Sequence, residues 1–103
     1  MIKHDETKVV VVAQFTAKKG KEQLLLEALH ELMAPTHQEP GYIRYELNQD
    51  VADPANLTFI EKFKDPDAFE IHKNKPYITT FFQSVAPQLV DRQVISLHKE
   101  ILP

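Results

Sequence analysis

Val9-Val-Val-Val-Ala-Gln-Phe15 is the run on which the fold turns. It is apolar and β-branched almost without a break until Gln14, the signature of a strand covered on both faces. A strand with one wet face would alternate. Thr16-Ala-Lys-Lys-Gly20 turns the chain. From Lys21 to about Gln38 the apolar positions Leu24, Leu25, Ala28, Leu29, Leu32 and Met33 recur at helical spacing, with Leu26 off the stripe. Pro35 is expected to kink or end this helix, and Glu39-Pro40-Gly41 ends it.

Beyond that point Tyr42–Gln49 alternates, with Ile43, Tyr45, Leu47 and Gln49 on one face. Asp50–Asn56 is a loop of hairpin length leading into Leu57–Phe63, where Leu57, Phe59, Glu61 and Phe63 share a face. Asp65-Pro66-Asp67 is a helix start: a side-chain cap, a proline suited to the first turn, and an acid for the dipole. Asn74-Lys75-Pro76 starts a second helical piece carrying Tyr77, Ile78, Phe81, Phe82 and Val85, which Pro87 is expected to close. Asp91–Ile101 alternates again. The order is β-α-β-β-α-β, the ferredoxin-like α+β fold: an antiparallel sheet with helices on one face. The two-sided apolar first strand leaves the open face as an apolar patch, so a homodimer joined sheet to sheet is expected.

Composition limits the function. The chain has 103 residues, one small domain spanning 1–103, with Met1–Thr7 expected as a flexible tail. A domain of this size buries only about 60–65% of its unfolded surface. Nine per cent aromatic residues is generous for so small a core, so some are expected to line a pocket or an interface. A net charge of −3 argues against a nucleic-acid binder, which needs a clustered positive face. There is no cysteine, hence no disulfide, thiolate metal site or cysteine nucleophile. Val9–Ala13 is too short for a signal core or a membrane span, so a soluble cytoplasmic protein is expected. His4, His30, His37, His72 and His98 make no metal-ligand spacing, and neither Gly20 nor Gly41 lies in a phosphate-binding loop. No metal or cofactor is expected.

Single residues stand out against this background. His72 is either a surface histidine packed on Phe69 or an acid–base group, since imidazole can take a proton from a phenol near neutral pH. Glu61 interrupts an apolar strand face: it is a buried, hydrogen-bonded acid, or an ion-pair partner for Arg44 or Lys62. Gln14 ends the first strand, facing solvent or holding a ligand oxygen. Tyr45 and Tyr77 are core aromatics with one wet tip or pocket hydroxyls. Phe59 and Phe81 serve core and pocket wall together.

Val9–Gly20, Glu39-Pro-Gly-Tyr-Ile-Arg-Tyr-Glu46, Phe59-Ile-Glu-Lys-Phe-Lys-Asp65 and Ala68-Phe-Glu-Ile-His-Lys-Asn-Lys-Pro-Tyr77 together resemble the antibiotic biosynthesis monooxygenase domain, from about Val9 to Val85. Within it, the helix-borne His followed by Pro-Tyr is similar to the quinol monooxygenase and autoinducer isomerase branch. The resemblance implies a dimeric α+β barrel with a pocket between sheet and helices. It turns His72 and Glu61 toward that pocket as the catalytic pair, with His72 as base and Glu61 orienting. Gln14, Tyr45, Phe59, Tyr77 and Phe81 then bind substrate. It implies a cofactor-independent monooxygenase using molecular oxygen on a small quinol-like or aromatic substrate. The alternatives are an isomerase of a phosphorylated hydroxydiketone, with Lys73, Lys75 and Arg44 as a cationic rim, or a non-catalytic ligand-binding barrel. The haem-degrading branch is disfavoured, because it needs a Trp and the chain has none.

Overall fold

The computed structural model describes residues 1–103. Its strands are β1 (His4–Ala17), β2 (Tyr42–Gln49), β3 (Asn56–Phe63) and β4 (Val90–Ile101). They form one antiparallel sheet in the order β2-β3-β1-β4, the ferredoxin-like arrangement. The helical pieces α1 (Glu22–His30), α2 (Met33–Thr36), α3 (Pro66–Lys73), α4 (Pro76–Thr80) and α5 (Ala86–Leu89) pack on one side of it. A π-helical turn, Phe81–Val85, joins α4 to α5.

The pleat decides which residues meet the helices. Val11, Ala13, Phe15 and Ala17 of β1 and Leu57, Phe59, Glu61 and Phe63 of β3 are buried, as is Tyr45 of β2. They pack beneath Leu25, Leu29, Leu32, Ile78, Phe81 and Ala86. On the open face Val10, Val12 and Ile60 are half-buried, but Gln14, Asn48 and Arg92 share it. That face is mixed, with a short apolar strip instead of the broad patch expected. No helix is long and apolar enough to cross a membrane.

Three boundaries and one buried face differ from the sequence reading, each for a local reason. His4–Thr7 is strand and not a loose tail, because β4 extends far enough to pair His4 with Ile101 and Asp5 with Glu100. The Asp5 carboxylate accepts bonds from Thr7 and Lys8 at the bulge that follows, which holds its pKa well below the usual range. The long helix breaks at Glu31 rather than at Pro35, since a proline ring clashes with the carbonyl four residues earlier. There the amide of Leu32 tightens onto Leu29 O at 3.1 Å. Leu24 is 50% exposed while Leu26 is half-buried, the reverse of expectation. These two flank the stripe symmetrically, so only the helix's seat on the sheet chooses between them. Pro87 lies inside α5, where the first turn tolerates a missing N–H.

A buried histidine between two glutamates as the candidate active site

The second helical segment is phased by its cap. The Asp65 carboxylate accepts from Ala68 N at 2.8 Å, and Pro66 occupies the first turn. Counting from that start, Ala68 and His72, one turn apart, face the sheet and are buried, while Ile71 faces outward. Ala68 then meets the end of the other crossover. A methyl group placed on Gly41 would collide with the Ala68 Cβ, so glycine permits the contact. Gly41 O also accepts from Lys64 N at 2.9 Å. This close approach carries the preceding residue pair, Glu39-Pro40, under α3.

The result is a buried polar chain. His72 Nδ1 donates to Glu39 Oε2 at 2.9 Å, and the Tyr77 hydroxyl donates to the same oxygen. On the other side of the ring, His72 Nε2 lies 3.8 Å from Glu61 Oε1. The imidazole is wedged among aromatics, with ring centroids 4.8 Å from Phe63 and 5.3 Å from Tyr45; Tyr45 stacks on Phe59 at 4.4 Å. The bland alternative of a surface histidine is gone: His72 is 4% exposed.

Burial sets the protonation states. It pushes the Glu61 carboxyl up to about 8, with the Glu39 charge adding to the effect, so Glu61 is a neutral acid at pH 7. Burial lowers the His72 pKa below its ordinary value, although the hydrogen bond and charge of Glu39 oppose it. Desolvation also raises the Tyr45 and Tyr77 phenols, which stay protonated. With Nδ1–H committed to a carboxylate that can only accept, Nε2 is the free basic nitrogen.

That ring faces a cavity of about 90 Å³ between sheet and helices. Its lining includes Phe15, Leu32, Tyr45, Phe59, His72 and Phe81, and is apolar or aromatic except for the imidazole and Lys73. Four of the seven expected site residues therefore meet at one space: His72, Tyr45, Phe59 and Phe81. Glu61 does not line the cavity but stands 3.8 Å from the imidazole Nε2, and Tyr77 reaches the site through Glu39. Gln14 does not join them. It lies on the open sheet face, in a polar hollow with Asn48, Thr58 and Arg92, because it is one residue out of phase with Ala13 and Phe15.

Of the three cations expected as a rim, only Lys73 is at the cavity. Arg44 pairs with Glu46 in solvent, and Lys75 precedes α4. Lys73 lines the cavity but pairs with Glu70 at 2.6 Å and lies over the Phe69 ring. Glu39, His72 and Glu61 do not converge on a point, the carboxyls sitting against opposite ring nitrogens, so they do not form a metal-binding set.

Glu39 and Thr36 are the residues that the sequence reading missed. Glu39 looked like a helix terminator, yet it is buried and is the hydrogen-bond partner of His72. The available signal was an acid directly before Pro-Gly. Thr36, wholly buried with its hydroxyl bonded to Leu32 O at 2.7 Å, gave none.

Glu61 makes stability depend on pH. Its folded pKa lies above its unfolded one, so its contribution is full below about 4.5 and is lost as pH rises toward 8. His72 acts in the opposite sense, favouring unfolding as pH falls below its ordinary value. The native chain is expected to lose stability as pH rises from 5 to 8.5, with Glu61 contributing at most ~1.4 kcal/mol per pH unit, and thermal melts of Glu61→Gln should lose that contribution. An unchanged decline would place the raised carboxyl elsewhere.

Comparison with known proteins gives the arrangement its relatives. A family model for antibiotic biosynthesis monooxygenase matches residues 8–84. A protein of Shewanella oneidensis with a crystal structure is 37% identical, superposes with a TM-score of 0.98, and the match covers 100% of both chains. One from Pseudomonas aeruginosa is 28% identical, with a TM-score of 0.89 over 97% of this chain and 100% of the other. A crystal structure described as an antibiotic biosynthesis monooxygenase is 27% identical, with a TM-score of 0.81 over 92% of this chain and 99% of that one. The fold, the order of motifs and the span of the match agree: this chain belongs to the antibiotic biosynthesis monooxygenase family.

Proposed function

We propose that this chain is a cofactor-independent monooxygenase acting on a small phenolic or quinol-like substrate. The observation that carries the proposal is His72: buried, fixed through Nδ1–H to Glu39, and lining an apolar cavity with Nε2 free. A neutral imidazole in a water-poor site is the group needed to take a proton from a ring hydroxyl. Glu39 would orient the ring and stabilise the imidazolium that forms. The electrons come from the substrate, since a deprotonated quinol is itself a good one-electron donor.

The step balances without a further reductant. The quinolate passes one electron to molecular oxygen, and the radical pair joins at a ring carbon as a hydroperoxide. Cleavage of the O–O bond with loss of water leaves a hydroxyquinone. One oxygen atom is retained and the other leaves as water. Glu61, a neutral acid 3.8 Å from Nε2, would supply the proton to the departing hydroxide. Tyr45, Phe59 and Phe81 would wall the ring, and Tyr77 would hold Glu39. The isomerase alternative wants cations for a phosphate, and the one cation at the cavity is already paired.

We also propose that two copies associate. Ile95, Leu97 and Ile101 are exposed apolar side chains on the helix side of the edge strand β4, Val94 is exposed on its open face, and Ile71 of α3 is exposed as well. Sedimentation at micromolar concentration is expected to give twice the 11.9 kDa chain mass; a single-chain mass would refute association.

Activity is tested with an oxygen electrode and a panel of one-ring quinols. Uptake of one oxygen molecule per quinol is expected, with hydroxyquinone as product. His72→Ala should slow it about 10²- to 10⁴-fold. Unchanged turnover in that variant would remove the proposal's basis.

A further inference from the structure

We infer that the substrate ring carries an apolar chain, which lies in the cleft between α1 and α4 while the ring occupies the cavity at His72. This rests on the proposed function for the ring's position and adds the substrate's shape. The cavity's 90 Å³ is less than the ~150 Å³ of an engineered cavity known to hold benzene. A ring therefore enters only when part of the wall moves. Leu32 and Phe81 line both this cavity and a larger cleft of about 360 Å³ on the helix side of the molecule. They are the partition between the two spaces.

Both partition residues sit where the helical ladder is already interrupted. Leu32 follows the break that Pro35 imposes, and Phe81 opens the π-helical turn. Irregular turns of this kind accommodate displacement more readily than a continuous helix and recur at functional sites. Displacing these two side chains would join the cavity to the cleft. Ala28 and Val85 provide apolar lining in the cleft, Glu31 is an exposed acid on its lining, and no Lys or Arg lines it. The chemistry suits a neutral hydrocarbon chain and repels an anionic one. Tyr77 also lines the cleft while donating to Glu39, so the chain would pass beside the group that holds the His72 partner.

Calorimetric titration with 4-alkylphenols, from methyl to hexyl, reads this without any chemical step. Affinity is expected to tighten about fourfold per methylene, until the chain passes the cleft rim and the gain levels off. Ala28→Trp should flatten that gradient while leaving 4-methylphenol bound. Thr80→Trp, at an exposed position on the cleft lining, should do the same without touching the core. A native gradient of zero, or one that persists undiminished in both variants, would overturn the inference. The gradient with no oxygen uptake from any quinol would refute the oxygenase reading alone. Oxygen uptake with no gradient would refute the chain-binding cleft alone.

Discussion

At Gly41 the space a side chain would need belongs to the Cβ of Ala68. That contact joins the end of the first crossover to the start of the second, and the site depends on it. Ala68 and His72 are one helical turn apart, so seating the first against Gly41 seats the second against Glu39. The Asp65 cap sets the helix phase, and Pro40-Gly41 sets the turn. A larger residue at either contact position would push α3 from the sheet and lengthen the 2.9 Å bond between Glu39 and His72. The chemistry proposed for the imidazole is in this sense a consequence of close packing between two small residues.

Two carboxyl groups then share one buried space, and they are not equivalent. Glu39 receives the Nδ1–H of His72 and the hydroxyl of Tyr77. Glu61 receives neither donor and lies among Leu57, Phe59 and Phe63, where burial and the charge on Glu39 keep it protonated. A carboxylate, a neutral imidazole and a neutral acid stand in sequence across the core. Pairs of titratable groups driven apart by their surroundings are how one site supplies both a base and an acid at neutral pH. The aromatic rings around them exclude the water that would level the difference.

Much of this was legible before any coordinates. The alternation of Leu57, Phe59, Glu61 and Phe63 announced an acid on a core face, and Asp65-Pro66 announced the helix that carries His72. The generous aromatic content found its place at the cavity: Phe15, Tyr45, Phe59 and Phe81 line it. What escaped was decided by tertiary contact. Glu39 sits in an irregular turn with no periodicity to orient it, so its direction follows from where Gly41 docks. Gln14 stood one residue from the core phase, and a strand apolar on both sides hides which parity points inward. The break at Glu31 was misplaced because the clash of Pro35 is felt four residues upstream.

The central claim is that His72 at neutral pH is uncharged, with its proton on Nδ1 facing Glu39 and its basic Nε2 toward Glu61. Long-range nitrogen–proton correlation of the imidazole in isotopically labelled protein reads this directly. At pH 7 the account predicts a protonated Nδ1 and a proton-free Nε2, with titration only below the ordinary histidine range. An imidazolium at pH 7, or a proton on Nε2 with Nδ1 bare, would contradict it.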